Sequence, residues 1–269
     1  MIVHNFDPVL IDFGYIEIRW YSLSYIIGII LGWAYANKII KICKEERYIE
    51  KYLEKVHFDD FIIFLIFGII IGGRFGYIVF YNFEYYLNHP YEIFAIWKGG
   101  MSFHGGLIGV IFAIFIFSKI KKEINFFVLS DIIACAAPIG LFLGRISNFI
   151  NGELYGKASN LPWAVIFPQG GNIGRHPSQI YEALLEGAIL FFIINFLAIK
   201  KKLIIKQGYA SIIFLIFYSI FRIFSEFFRE PDQHIGYIFN YFSVGMLLSF
   251  FTIIAGILIF IYKKNEQNY

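Results

Sequence analysis

The stretch GLFLGRISNFINGELYGK, residues 140–157, begins as apolar as a membrane helix and ends in a set of polar side chains. Its second half contains an arginine, two carboxamides and a carboxylate, with glycines between them. Serine and lysine would be enough to end an apolar segment in water. This polar set therefore indicates more than a connecting loop.

The composition of the whole chain indicates a membrane protein. Hydrophobic residues make up 58% and charged residues 16% of its 269 residues, and the mean hydropathy is +0.65. Soluble proteins carry about 25% charged residues, and about 20 apolar residues suffice to cross a bilayer as a helix. We predict an all-α polytopic membrane protein with about seven transmembrane helices. The predicted spans are roughly 20–40, 60–82, 104–118, 124–144, 179–199, 208–228 and 237–262.

The predicted organisation is a single integral-membrane domain over residues 1–269, because the sequence shows no repeat of fixed period and no low-complexity linker. Residues 1–18 lack a basic segment followed by an apolar core, so we predict no cleavable signal peptide. We expect them to form an interfacial lead-in at the membrane surface.

Lysines are concentrated after alternate spans, and this pattern predicts the orientation. Basic residues follow spans one, three, five and seven, at Lys38, Lys41, Lys44, Arg47, Lys51, Lys55, Lys119, Lys121, Lys122, Lys200, Lys201, Lys202, Lys206, Lys263 and Lys264. Cytoplasmic loops are enriched in such residues. The N-terminus is therefore predicted outside and the C-terminus in the cytoplasm. The net charge of +3 reflects these loops and does not indicate a nucleic-acid partner.

The remaining basic residues are mostly arginine: Arg19, Arg74, Lys98, Arg145, Lys157, Arg175, Arg222 and Arg229. Orientation requires only positive charge, whereas bidentate binding of phosphate favours the planar guanidinium. We predict that the outward half of the protein holds an oxyanion.

Polar residues also form a stripe within FYSIFRIFSEFFRE, residues 217–230. Tyr218, Arg222 and Glu226 are spaced at i, i+4 and i+8, and Arg229 follows, so all lie on one face of a helix. Charges inside a membrane are costly unless they are paired or face a wet cavity. Two interpretations stay open: a structural Arg222–Glu226 ion pair, or a cavity into which the two arginines and the tyrosine hydroxyl point.

Two further segments carry candidate site residues. In KGGMSFHGGLIG, residues 98–109, His104 lies between glycine pairs, which allow a ligand to approach closely; it is either an interfacial hydrogen-bonding group or a catalyst. In GRHPSQIYEALLEG, residues 174–187, Pro177 suits a first helical turn and makes His176 a candidate cap. Glu182 and Glu186 share a helix face and require basic partners, which Arg145 or Arg222 can supply.

Metal and thiol chemistry are not indicated. The histidines show no metal-ligand spacing, so we predict no metal and no cofactor. The two cysteines, Cys43 and Cys135, offer no disulfide framework. Cys43 is predicted in the first cytoplasmic loop and Cys135 deep in an apolar span, so neither is a good candidate for a nucleophile. If the protein is an enzyme, we expect its nucleophile to come with a substrate. Two glycine series, at 68, 72 and 76 and at 28 and 32, indicate close helix packing.

These motifs together resemble one known family. GRISNFINGELYG is similar to the signature of the prolipoprotein diacylglyceryl transferases, and the blocks GGRFGYIVFYNF, GGMSFHGGLIG, RHPSQIYEALLEG and FRIFSEFFREPD resemble that family in the same order. The resemblance covers about residues 18–262. Two positions depart from it: Ser147 stands where the family usually has glycine or alanine, and GKAS at 156–159 replaces the commoner G-R-x-T.

The resemblance implies transfer of the diacylglyceryl group of phosphatidylglycerol to the lipobox cysteine thiol of prolipoproteins, with release of glycerol 1-phosphate. This is the first step of lipoprotein maturation. The implied partners are phosphatidylglycerol, the prolipoprotein signal peptide and membrane lipids. The implied location is the bacterial cytoplasmic (inner) membrane, with the active site toward its outer face.

The matching motifs also imply roles for individual residues. The implied catalytic residues are His104, Arg145 and Arg222. The implied substrate-binding residues are Tyr21, Asn148, Asn151, Glu153, Gly156, Tyr218 and Glu226, with His176, Glu182 and Arg229 in support. Glu153 is expected to orient an arginine or a hydroxyl.

Two other functions are compatible with some of these features. An outward-facing lipid or anion transporter would also use arginines in a polar cavity, but it should show inverted repeats or interrupted helices, and the sequence shows no such symmetry. A structural membrane subunit would explain the glycines and the ion pairs, but not the motifs around His104 and Arg145.

Overall fold

The computed structural model describes residues 2–14, 17–45, 55–95, 99–231, 236–238 and 241–266. Lys98, Arg47 and Lys51, which enter the predictions above, lie outside these residues. Within the described part, seven helices are long and apolar enough to cross a membrane. The prediction of an all-α polytopic membrane fold is therefore confirmed.

The α-helices are connected by segments of different length, the longest of which, between the fifth and sixth helices, contains two short strands. In chain order the first five are α1 (Trp20–Glu45), α2 (Lys55–Tyr81), the short α3 (Phe83–Asn88), α4 (Phe103–Ile120) and α5 (Phe126–Ile150). They are followed by α6 (Ser178–Glu182), α7 (Leu190–Asn195), α8 (Tyr209–Glu226) and α9 (Val244–Glu266).

The fifth membrane-length helix, Ser178–Lys200, is not a regular α-helix throughout. The α-helical pieces α6 and α7 alternate with π-helical segments at Ala183–Ile189 and Phe196–Lys200. Wider π-helical turns inside α-helices are often found at functional sites. The first of these segments contains Glu186.

The bounds of two helices differ from the predicted spans. The fourth span was predicted to end at residue 144, but α5 continues through Pro138 to Ile150, because its polar side chains find partners inside the protein. The seventh span was predicted to start at residue 237, but α9 begins at Val244. Before it, Gly236 adopts a positive φ of 67°, and Ile238 and Phe242 form a β-bridge.

The chain forms two compact units, of which the first comprises Met1–Ala36, Ile133–Pro231 and Gly245–Tyr269. In it, β1 (Ile2–Val3) pairs in parallel with β4 (Val165–Ile166), which pairs antiparallel with β5 (Gly174–Arg175), while β2 (Val9–Asp12) and β3 (Glu17–Arg19) form a hairpin. The predicted lead-in therefore contains short strands; its location at the membrane surface stays a prediction.

The N-terminal strand is tied to the end of α5. The Nε2 atom of His4 donates to the carbonyl oxygen of Phe149 at 2.6 Å, and the backbone N–H of His4 donates to Ile166 O at 2.9 Å. His4 is buried. The sheet thus fixes the turn at which the quoted stretch leaves its helix.

The second unit comprises Asn37–Ile132 and Asp232–Val244. Its helices α2 and α4 meet along glycines: a Cβ atom at Gly72 would lie 2.7 Å from Gly109 Cα, and one at Gly68 would lie 3.0 Å from Ala113 Cβ. Close packing was predicted for this series and is confirmed. In the first unit, Gly28 likewise approaches Gly140, whereas no described atom lies within 4 Å of a Cβ built at Gly32, so the prediction is wrong for Gly32.

Candidate active site

A buried network of carboxylates and guanidinium groups lies in the first unit. Glu182 Oε2 is 2.9 Å from Arg145 Nη1 and 2.9 Å from Arg222 Nη1, so one carboxylate oxygen joins the two arginines. The sequence indicated that either arginine could be the partner of this glutamate. In the structure both are.

Two further glutamates complete the network. Glu186 lies 3.2 Å from Arg145 Nη2 and 3.6 Å from Arg222 Nη1. Glu226 accepts a hydrogen bond from Arg222 Nη2 and lies 3.6 Å from Arg229 Nη1. The predicted Arg222–Glu226 pair is therefore present, as one part of a larger cluster.

The cluster is nearly buried and balanced in formal charge. The side chains of Glu182 and Glu186 are at most 1% exposed, and those of Arg145 and Arg222 are 13% and 6% exposed. Buried ion pairs are weak evidence for stability, because desolvation offsets much of their attraction. Three arginines facing three glutamates have no net formal charge, so any binding of an anion relies on the orientation of the donors.

Helix packing places Arg145 beside the glutamates. A Cβ atom at Gly187 would lie 2.6 Å from Phe142 Cβ, so α5 and the first π-helical segment approach closely there. Arg145 follows Phe142 by about one turn of α5, and Glu186 directly precedes Gly187. The absence of a side chain at Gly187 thus allows the contact between Arg145 and Glu186.

The two carboxamides converge on Glu153. Asn148 Nδ2 donates to Glu153 Oε1 at 2.8 Å, and Asn151 Nδ2 donates to the same oxygen at 3.4 Å. Gln179 Nε2 donates to the backbone oxygen of Glu153 at 2.6 Å. Glu153 was expected to orient an arginine or a hydroxyl, but the groups that it orients are amides. Among the described residues, the buried Oδ1 atom of Asn151 has no hydrogen-bond partner.

Two tyrosines border the network. Tyr218 is fully buried and interacts electrostatically with Arg145, Arg222 and both glutamates of the Ser178–Lys200 helix. The Tyr21 hydroxyl lies 3.1 Å from that of Tyr25 and interacts electrostatically with Glu153 and Arg145. Both predicted tyrosines are thus close to the predicted arginines, while Tyr25 is 40% exposed.

His176 does not cap a helix. The helix begins at Ser178, with Pro177 in the cap position and no side-chain hydrogen bond there, so the predicted cap is wrong. His176 Nδ1 instead lies 3.2 Å from the Tyr181 hydroxyl. Burial, together with the charge of Lys157, holds the pKa of His176 below its usual range, which keeps the ring neutral near pH 7.

Gly156 has a packing reason to be glycine. Its N–H donates to His176 O at 2.9 Å, and a Cβ atom would stand 2.6 Å from both His176 O and Phe228 O. It also forms a bridge with Arg229. Its predicted contact with substrate stays a prediction.

Two of the other arginines, Arg175 and Arg19, have structural partners. Arg175 donates to Gly170 O, to Gly156 O and to Glu230 Oε2, and Arg19 pairs with Glu17 at 2.7 Å. Oxyanion binding by the outward arginines stays a prediction, and among them Arg145, Arg222 and Arg229 lie in the buried cluster.

His104 lies in the second unit, on the first turn of α4. Ser102 is the N-cap residue, and its hydroxyl accepts from Gly105 N at 3.2 Å. The His104 side chain is buried and packs edge-on against the ring of Phe103. Its participation in one site with Arg145 stays a prediction.

Sequence reasoning missed two contacts around the network. A Cβ atom at Gly245 would lie 2.6 Å from Glu226 Oε1, but in the sequence Gly245 is one more glycine in an apolar span. Ser24 Oγ donates to Ser147 Oγ at 3.1 Å, so the unusual serine links α5 to α1. Ser147 was noted as a departure from the family pattern without a partner being assigned to it, and no local signal reveals the contact of Gly245.

Comparison with known proteins identifies the family. The family model described as Prolipoprotein diacylglyceryl transferase matches residues 8–262. The chain is 48% identical over 256 residues to the phosphatidylglycerol–prolipoprotein diacylglyceryl transferase of Rickettsia felis, covering 95% of this chain and 96% of that protein. Proteins of the same name from Rickettsia bellii and Rickettsia typhi are 48% and 49% identical, over 97% and 93% of this chain and the same shares of those proteins. The chain therefore belongs to the prolipoprotein diacylglyceryl transferase family.

Proposed function

We propose that this protein transfers the diacylglyceryl group of phosphatidylglycerol to the lipobox cysteine of prolipoproteins at the outer face of the bacterial inner membrane. The cysteine sulfur forms a bond to a glyceryl carbon, and the bond from that carbon to the phosphate oxygen breaks. The thiol proton passes to a base, and glycerol 1-phosphate leaves. The names of the relatives support the two substrates.

The observation that carries this proposal is the pair of buried arginines joined through Glu182. Negative charge grows on the departing phosphate oxygen in the transition state. Donors that are already fixed in a dry site stabilise such charge far better than water does. Arg145 and Arg222 are held in that way, each by a carboxylate oxygen at 2.9 Å. Arg145 has the larger exposed fraction of the two side chains and is the better placed to contact the phosphate.

The amide group next to the cluster suits the glycerol part of the lipid. Asn148 and Asn151 direct their Nδ2 donors to Glu153, which turns their oxygen atoms toward other partners. A buried Asn151 Oδ1 without a hydrogen-bond partner among the described residues can accept from a glycerol hydroxyl. This assigns head-group recognition to the carboxamides and their orientation to Glu153.

His104 is proposed as the base that activates the thiol. A cysteine thiol titrates near 8.5 and histidine near 6.5, so the proton transfer is uphill in water by roughly 2.7 kcal/mol. Arginines near the thiol would favour the thiolate but disfavour the imidazolium. The competing role is that His104 hydrogen-bonds the lipid while the arginines alone stabilise the thiolate.

The distribution of charge along the helices of the first unit supports a site on the outer face. In the helix Ser178–Lys200, Glu182 is near the start and Lys200 is the last residue. The order is reversed in α8, which Lys206 precedes and Glu226 ends. In α9, Gly245 is in the first turn and Lys263 is near the end. The lysines are therefore at the ends of the helices opposite the arginine cluster, as expected if they face the cytoplasm.

Purified protein tests the reaction directly. Incubated with phosphatidylglycerol and a lipobox peptide, it should release glycerol phosphate and increase the peptide mass by one diacylglyceryl group. A peptide with serine in place of the lipobox cysteine is the matched control and should release none. Equal release with both peptides would indicate lipid hydrolysis and exclude thiol transfer.

Labelling in intact cells tests the orientation. A cysteine introduced at Lys157 should react with a membrane-impermeant reagent, whereas one at Lys121 or Lys202 should react only after the cells are broken. The reverse pattern would place the cluster on the cytoplasmic side, away from a translocated lipoprotein, and would exclude the mechanism.

A further inference from the structure

The first turn of α9 lies directly against the carboxylate of Glu226. A Cβ atom built at Gly245 would stand 2.6 Å from Glu226 Oε1, 3.2 Å from its Cδ and 3.3 Å from Arg222 Nη2. Real Cβ atoms essentially never approach another atom within 3.0 Å. Only glycine at this position leaves the carboxylate where it is.

Glu226 in turn holds two arginines. It accepts from Arg222 Nη2 and lies 3.6 Å from Arg229 Nη1, and all three side chains are buried. The backbone N–H groups of a first helical turn lack intrahelical acceptors and carry the positive end of the helix dipole. The first turn of α9 therefore adds positive potential on the side of the carboxylate that faces Gly245.

We propose that Gly245 is a positioning residue of the transferase: it allows α9 to hold the Glu226 carboxylate on Arg222, which fixes the guanidinium for the leaving phosphate. Gly245 acts through two other side chains and does not touch the substrate. The inference rests on the proposed function, in which Arg222 stabilises the transition state.

The Gly245→Ala variant separates this role from ordinary helix packing. Alanine is the better helix former, so the backbone effect alone favours α9, whereas the added methyl group displaces Glu226. We expect kcat for diacylglyceryl transfer to fall about 10- to 100-fold while KM for the lipobox peptide changes less than about threefold. Gly256→Ala is the matched control in the same helix. Its methyl group would stand 3.0 Å from Ile216 Cγ1 and 3.4 Å from Leu215 Cβ, so it meets apolar side chains and not the charged cluster, and activity should be kept.

A second substitution gives the readout that general misfolding would not produce. Glu226→Asp shortens the side chain by one carbon–carbon bond, about 1.5 Å, and makes room for the methyl group. In the Glu226→Asp background, adding Gly245→Ala should cost less than about threefold in kcat. If the single Gly245→Ala protein does not accumulate, the comparison of Glu226→Asp with the double variant Glu226→Asp, Gly245→Ala tests the proposal by itself.

Three results are decisive. Activity of Gly245→Ala within threefold of the parent would overturn the proposal, and so would an equal loss in the Glu226→Asp background. A parent protein that transfers no diacylglyceryl group at all would overturn the proposed function instead, before any variant is compared.

Discussion

Arg74 in the second unit and Arg222 in the first are buried to nearly the same extent, with 4% and 5% of their surface exposed. Their partners differ in kind. The guanidinium of Arg74 donates to the backbone oxygens of Ile93, Gly99 and Glu92. That of Arg222 pairs with the carboxylates of Glu182 and Glu226.

The different partners give the two arginines different roles. Arg74 links two segments of the backbone, whereas Arg222 belongs to a network of charged side chains. A backbone carbonyl has no formal charge and moves only with its chain, so Arg74 fastens α2 to the segment that leads to α4. A carboxylate can be protonated, and another oxyanion can take its place beside the arginine. The carboxylate partners of Arg222 therefore suit an arrangement that an anionic substrate can enter, whereas the carbonyl partners of Arg74 do not.

The largest effect is expected from Arg145→Lys and Arg222→Lys. Lysine keeps the charge but loses the planar fork that bonds two oxygens at once. We expect the rate of diacylglyceryl transfer to fall by about 100-fold or more, equivalent to roughly 3 kcal/mol in the transition state. Transfer to a lipobox peptide measures the rate, and the amount of folded protein in the membrane provides the control. Near-normal rates in both variants would mean that simple charge suffices or that the arginines are structural.

The second-largest effect is expected from His104→Asn, which tests whether this residue of the second unit takes part in the reaction. If His104 is the base, His104→Asn should lower transfer about 100-fold near pH 7 and recover substantially toward pH 9, where the peptide thiol ionises unaided. The measurement is the ratio of variant to parent rates across this pH range. A ratio that does not change with pH would assign His104 to positioning of the lipid.

The sequence allowed some of this arrangement to be predicted, and the reason lies in helix periodicity. The spacing of Glu182 and Glu186 showed that both acids share one helix face and need basic partners. The same reasoning put Arg222 and Glu226 on one face of α8. The identity of the basic partner of each glutamate depended on contacts between helices, and the spacing of residues within one helix does not reveal these contacts.

Other features depended on tertiary structure throughout. The cap at His176 was mispredicted because Pro177 takes the cap position itself. The seventh span was predicted to start too early, because an apolar segment that contains a turn and a β-bridge has the same hydropathy as a helix. Gly245 had no local signal, since its close contact is with the Glu226 carboxylate on another helix.

A third, smaller effect is expected from Arg74→Lys, and it should concern stability. Lysine cannot reach the several carbonyl oxygens that the guanidinium holds, and the loss of two or three such hydrogen bonds costs about 2 kcal/mol of unfolding free energy. Reversible unfolding in mixed micelles measures this change. The transfer rate per folded molecule should stay within about threefold of the parent, because Arg74 stabilises the fold without holding an anion. A catalytic loss as large as that of Arg222→Lys would remove the distinction between the two arginines.

The smallest effect is expected at the neutral polar contact beside the cluster. Ser147 Oγ accepts from Ser24 Oγ at 3.1 Å and donates to Gly144 O at 2.8 Å. Ser24 Oγ also lies 2.8 Å from Tyr21 O, so it keeps a partner when Ser147 is removed. Because neither hydroxyl carries charge, the contact links α1 to α5 without entering the charge network.

A double-mutant cycle of Ser24→Ala and Ser147→Ala should therefore give a coupling of about 0.6 kcal/mol in unfolding free energy, the size usual for hydrogen bonds between membrane helices. Transfer by Ser147→Ala should stay within about twofold of the parent, since within the described part of the chain the hydroxyl bonds only to Ser24 and to a backbone oxygen and not to the charged side chains. The cycle is measured by unfolding in mixed micelles, with the transfer assay on the same preparations. A tenfold loss of transfer at unchanged stability would show instead that the Ser147 hydroxyl belongs to the site together with Arg145. The site would then include neutral polar groups as well as the charged network.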